Sequence, residues 1–97
     1  MPTDMGEILD LVQRECDRQH RKWGVQSHGE LKWLAILMEE VGEAAMDCNE
    51  LEPALGKVGE GVEQQLRERL RTELIQCAAV CVSWLDCMNR KEDASHE

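Results

Sequence analysis

The chain has 97 residues, enough for one small domain whose core is only marginally able to fold by itself. It contains no Phe, no Tyr and three Trp, so Leu, Val, Ile, Ala, Met and Cys must supply the core. Eleven basic against twenty acidic residues leave a net charge of −9, which repels DNA and RNA and speaks against nucleic-acid binding.

Asp4 with Glu7 three residues on reads as a helix start, and Ile8, Leu11, Val12 and Cys16 then recur at helical spacing. A first helix is predicted over about residues 4–21. The segment "KWGVQSHGE" carries two Gly and a Ser27…Glu30 capping box, so it reads as a loop feeding a second helix of about residues 29–50. The apolar stripe of that helix is Leu31, Leu34, Leu37/Met38, Val41, Ala44/Ala45 and Cys48. Gly42 inside it costs about 1 kcal/mol of helix stability relative to Ala and suggests close approach of a neighbouring helix or ligand.

Residues 51–61 hold one Pro and three Gly and read as a loop with room for one helical turn. A long helix then begins at Val62, with the stripe Leu66, Leu70, Leu74, Cys77/Ala78, Cys81, Leu85 and Met88. The tail "KEDASHE", residues 91–97, is expected to be frayed or disordered. The fold class is therefore all-α, a single domain over residues 1–97, with a helical bundle completed by a second copy of the chain.

The five cysteines are odd in number, form no CxxC pair and follow no signal peptide, an arrangement expected of a reducing cytoplasm. Cys77 and Cys81 read as small core residues. No apolar run is free of charge for long enough to cross a membrane.

Three glutamates, Glu39, Glu40 and Glu43, interrupt the apolar run "LAILMEEVGEAAMDC". At ~100° per residue, Glu40 and Glu43 lie about 60° apart around the helix and Glu39 about 40° from Glu43. Spacing admits two readings, a solvated strip of good helix formers or a functional cluster. In the second case like charges repel and partial burial adds a desolvation cost, which a cation would offset. Mg²⁺ suits such a site because it is hard, prefers oxygen, and shares its coordination between carboxylates, waters and substrate phosphates.

Later, Glu73 and Gln76 present two further oxygen ligands at i,i+3. Two helices packed antiparallel could gather all of these around one cation, although Glu73 could instead pair with Arg69 one turn earlier.

"EEVGE" followed by "ELIQ" resembles the EExxE…ExxD signature of the MazG-like, all-α nucleoside triphosphate pyrophosphohydrolases, and the upstream "RKWG" and the helix "WLAILMEEVGEAA" extend the resemblance over most of the chain. The sequence departs from that pattern in placing Gln76 where the family usually has Asp, and in a slightly longer gap between Glu43 and Glu73. Carried over by position, the resemblance implies metal ligation by Glu40, Glu43, Glu73 and Gln76. It gives Glu39 one of three roles: a metal ligand, a support for one, or the group that positions the attacking water.

The implied reaction is Mg²⁺-dependent hydrolysis of a nucleoside triphosphate to the monophosphate and pyrophosphate, with Mn²⁺ able to substitute. The implied purpose is nucleotide-pool house-cleaning by a dimer or dimer of dimers. For the substrate, Arg14, Lys22, Lys32 and Arg90 are candidate phosphate partners, Lys32 foremost because it falls within about 20° of Glu39 and Glu43 around the helix axis. Trp23 of "RKWG" matches an aromatic near the nucleotide in relatives, Trp33 is a second candidate for the base, and His28 is a candidate for phosphate or ribose. The rival expectation is a non-catalytic helical oligomer acting as an interaction or regulatory module.

Overall fold

The Asp4 carboxylate accepts a 2.8 Å hydrogen bond from the Glu7 backbone N–H and so opens the first helix, α1 (Met5–Trp23), as the spacing predicts. At its other end Gly24 adopts a φ of 76°, which a side chain would disfavour, and its N–H closes the helix on the His20 carbonyl at 2.8 Å. Two further helices follow, α2 (Glu30–Ala54) and α3 (Glu60–Ser95). This architecture comes from a computed structural model in which residues 4–95 are described. Those residues include no strand, so the all-α expectation holds for them.

Three boundaries differ from the sequence reading. The Ser27…Glu30 capping box does not form: Gly29 is the N-cap of α2 without a side-chain bond. The Ser27 hydroxyl meets the Cys87 thiol at 3.7 Å, and Glu30 accepts from the Trp84 indole at 3.3 Å. α2 also runs past residue 50 to Ala54, with Pro53 in its last turn. α3 stays helical to Ser95 where a frayed tail was expected from residue 91; Lys91 ties this end of the helix to the His28 carbonyl. The last two residues of that tail lie outside the described residues.

α3 is the spine. α1 and α2 each pack on it and not on one another, which leaves a cleft between them. On the α1 side Val12 and Cys16 bury against Ala79, whose side chain is small enough to let the helices close, with Ile75 and Ala78 around them. On the α2 side Trp33, Val80 and Cys87 are buried together, flanked by Ile36, Leu37 and Trp84. Burying the Trp33 ring contributes about 3 kcal/mol.

The face α2 turns toward α3 is not the stripe its sequence suggests. Trp33, Ile36, Leu37, Glu40, Ala44, Asp47 and Leu51 point inward, and only Leu37 and Ala44 belong to the predicted stripe. Leu31, Leu34, Met38 and Val41 are 84, 44, 57 and 42% exposed, and Ala45 and Cys48 lie beside them. The physical reason is that α2 is apolar on both sides, so periodicity cannot choose between them; the bulkier Trp33 side takes the interior. Gly42 sits on the outward side, where a Cβ would meet nothing within 4 Å, so among the described residues nothing makes the close approach expected there. α3 repeats the pattern, with Leu74, Cys81 and Leu85 of its predicted stripe exposed.

Candidate functional site

Because Glu40 lies about 180° from Leu31 around α2, turning the Trp33 side inward carries Glu40 toward α3. There it meets Glu73 and Gln76. One terminal atom of the Gln76 amide stands 3.2 and 3.1 Å from the two Glu73 carboxylate oxygens and 3.1 Å from Glu40 Oε2. Hydrogen-bonding chemistry makes this atom the nitrogen, donating to both acids. Glu73 does not pair with Arg69, which donates instead to Asp47 at 3.2 Å and Glu50 at 3.0 Å.

This meeting of acids is electrostatically costly. Desolvation pushes the Glu73 carboxyl up to about 7, helped by its hydrogen bond to Glu40 and by the charges of Glu40, Glu43 and Asp47. Two carboxylates at this range cannot both ionise freely, so a proton or a cation must sit between them. The same field raises the Cys77 thiol, for which desolvation is the first cause and the charges of Glu40 and Glu73 follow.

The cluster stands at the edge of a cavity of about 380 Å³ in the cleft between α1 and α2. Glu39, Glu40 and Gln76 line one part of it; Trp33, Ile36 and Val80 give it apolar wall, and Trp23, Ser83 and Arg90 also line it. Glu43 is exposed and borders a second hollow of about 370 Å³ with Glu73, Asp47 and Arg69. The four expected ligands are thus split: Glu40, Glu73 and Gln76 touch, and Glu43 reaches Glu73 through its charge. Among the described residues no group of three or more His, Cys, Asp or Glu side chains forms a ready-made metal cage. Two carboxylates and one amide still suit a hard cation that keeps part of its water shell.

The substrate candidates fare unevenly. Trp23 lines the cavity, 55% exposed, with Lys22 Nζ 4.6 Å above its ring. Trp33 is 2% exposed and serves both core and cavity wall. Arg90 lines the cavity while donating to Asp86 at 3.0 Å and to the Gln26 carbonyl at 2.9 Å. His28 is not a wall residue; it packs edge-on against Trp33 at 5.0 Å and meets Gln26 Oε1 at 3.0 Å. Lys32 is exposed and lines neither hollow: it shares Glu39's side of α2 but lies seven residues, about 10 Å, away along the helix axis.

Two residues escaped the sequence reading. Asp47, four residues after Glu43, is buried and bridges α2 to α3 through Arg69. Arg18 of α1 lines the cavity with Glu39 and Glu40. The i,i+4 step from Glu43 could have singled out Asp47, whereas nothing local marks Arg18. No protein-family model, curated protein or solved structure matches this chain.

Proposed function

We propose that the chain is a Mg²⁺-dependent nucleoside triphosphate pyrophosphohydrolase of the MazG-like, all-α type, working on unwanted or surplus nucleotides. The observation that supports this most is the contact of Glu40, Glu73 and Gln76 across two helices, beside a cavity with aromatic and apolar wall. A solvated acidic strip would not force Glu73 to hold its proton up to about 7.

In this reading Glu40 and Glu73 hold the cation, with Glu43 and the Gln76 amide oxygen completing the protein's share of ligands. Bound there, the cation neutralises phosphate charge and makes a coordinated water more acidic. Gln76 must turn its amide to offer oxygen in place of nitrogen, which leaves its hydrogen bonds to the acids for a bond to the cation. Glu39, on the cavity wall and exposed, is free to orient water at the α-phosphorus. Trp23, 55% exposed, offers a face for the base, Trp33 backs the apolar wall from the core, and no covalent nucleophile is required. A second copy covers the outward faces of α2 and α3 and completes the bundle.

The test is pyrophosphate release from a panel of standard and damaged nucleoside triphosphates, with and without Mg²⁺, for wild type and Glu43→Ala. Metal-dependent release that Glu43→Ala abolishes is expected. No release from any nucleotide, with no Mg²⁺-dependent stabilisation, overturns the reading. It would favour the rival one, a non-catalytic helical oligomer, which the exposed apolar face of α2 also supports.

A further inference from the structure

The acidic side of the cavity carries one basic side chain that the carboxylate motif does not account for, Arg18. Its guanidinium forks onto Glu15, Nε to Oε1 at 2.8 Å and Nη2 to Oε2 at 2.7 Å. Gln19 donates to the same Oε2 at 2.9 Å, and the Glu15 side chain is only 13% exposed, so the anchor is held on two sides. The Glu15 bond, with a smaller contribution from the Glu40 charge, raises Arg18 further above its ordinary range.

A guanidinium has five N–H groups, and this fork uses two. The three left are both hydrogens of Nη1 and one of Nη2, the end-on edge whose spacing matches two oxygens of a phosphate. Arg90, the other arginine on the wall, likewise uses two of its five, Nε on Asp86 and an Nη2 hydrogen on the Gln26 carbonyl, but those partners stand on different elements and form no bidentate fork. As a surface pair three residues apart on α1, Arg18 and Glu15 would contribute little to stability. Their arrangement makes sense as a way of holding a cationic fork at a cavity wall that also carries Glu39 and Glu40.

We propose that Arg18 is a phosphate-binding residue of this cavity, gripping the oligophosphate end of an anionic ligand while Glu15 holds it in position. The identity of that ligand as a nucleoside triphosphate rests on the hydrolase reading above; the anion site does not. Glu15 is a positioning residue, acting only through Arg18.

The test is calorimetric titration of the full chain, in Mg²⁺, with a non-hydrolysable α,β-methylene nucleoside triphosphate and separately with inorganic tripolyphosphate. Arg18→Ala is expected to weaken both by about 10- to 100-fold, the usual scale for losing charge-assisted bonds. Arg18→Lys, which keeps charge and loses the fork, recovers part of the loss. Glu15→Gln raises KM several-fold while leaving kcat unchanged. Lys57→Ala, exposed and outside this cavity, leaves both titrations unchanged. Binding by Arg18→Ala within about twofold of wild type overturns the proposal even where nucleotide turnover is normal. Conversely, tripolyphosphate binding that depends on Arg18 in a protein that hydrolyses no nucleotide sustains the anion site and sinks the hydrolase reading.

Discussion

Replacing Glu73 by Gln is expected to stabilise the metal-free protein at neutral and alkaline pH. Desolvation first, then the hydrogen bond and charge of Glu40, then the charges of Glu43 and Asp47, raise the Glu73 carboxyl from 4.5 to about 7. The folded chain therefore holds a proton in this interval that the unfolded chain has released. This group leaves stability unaffected below about pH 4.5, lowers it progressively as pH rises toward 7, and keeps it lowered above that. At 1.36 kcal/mol per pH unit the full effect is about 3 kcal/mol, which partial solvation reduces to about 1–2 kcal/mol. For a domain of this size that is a melting-temperature gain of roughly 5–10 °C.

Thermal unfolding in a chelator, at about pH 8 and about pH 4.5, measures it: the variant melts higher at the first and level with wild type at the second. Saturating Mg²⁺ then narrows or reverses the gap, because only wild type gains the carboxylate's attraction for the cation. A variant no more stable than wild type at the higher pH, or one whose advantage does not change with pH, refutes the electrostatic account.

Two further outcomes follow from the packing. Leu34→Lys combined with Met38→Lys puts charge on the outward face of α2, which is 44 and 57% exposed at these positions. If the proposed dimer uses this face, light scattering behind size exclusion is expected to show a dimer for wild type and a monomer for the variant while circular dichroism retains the helices; equal masses would refute that use of the face. Arg69→Ala leaves the buried Asp47 without its 3.2 Å partner and is expected to cost about 1–3 kcal/mol in urea unfolding. Adding Asp47→Asn recovers part of that loss if the cost lies in the stranded carboxylate.

What the sequence made legible was the local part of this molecule. Asp4 and Glu7 mark the start of α1 because a cap is a three-residue event, and the approach of Glu40 to Glu73 and Gln76 was open to inference from helical spacing. The rotation of α2 was not, because Leu31 and Trp33 head two apolar faces, and only packing on α3 decides between them. Lys32 illustrates a second limit: it shares an angle with Glu39 on a helical wheel but lies about 10 Å from it along the axis, and only Glu39 lines the cavity. Arg18 was illegible for a different reason. Its nearness to Glu40 depends on Val12 and Cys16 closing α1 onto Ala79, a contact across more than sixty residues of chain that no short motif encodes.

Gln76 offers the sharpest separation between a site held together by hydrogen bonds and one built for a cation. As a donor 3.1 Å from Glu40 and 3.1–3.2 Å from Glu73, its amide screens two acids that would otherwise face each other bare. Gln76→Asp removes that donor and adds a third carboxyl group to a pair that already shares a proton, so the metal-free protein is expected to lose about 1–2 kcal/mol at neutral pH. If the cluster is a cation site, the same substitution strengthens Mg²⁺ binding, and the melting temperature rises more steeply with Mg²⁺ concentration than in wild type. The two effects have opposite signs and are read in one experiment, a series of melts from chelator to millimolar Mg²⁺. Destabilisation without a steeper response would mean that Gln76 serves the acids alone and has no place among the ligands. A crossing of the two curves would mean that the amide stands where a carboxylate ligand can act, and that this chain has traded cation affinity for a quieter metal-free state.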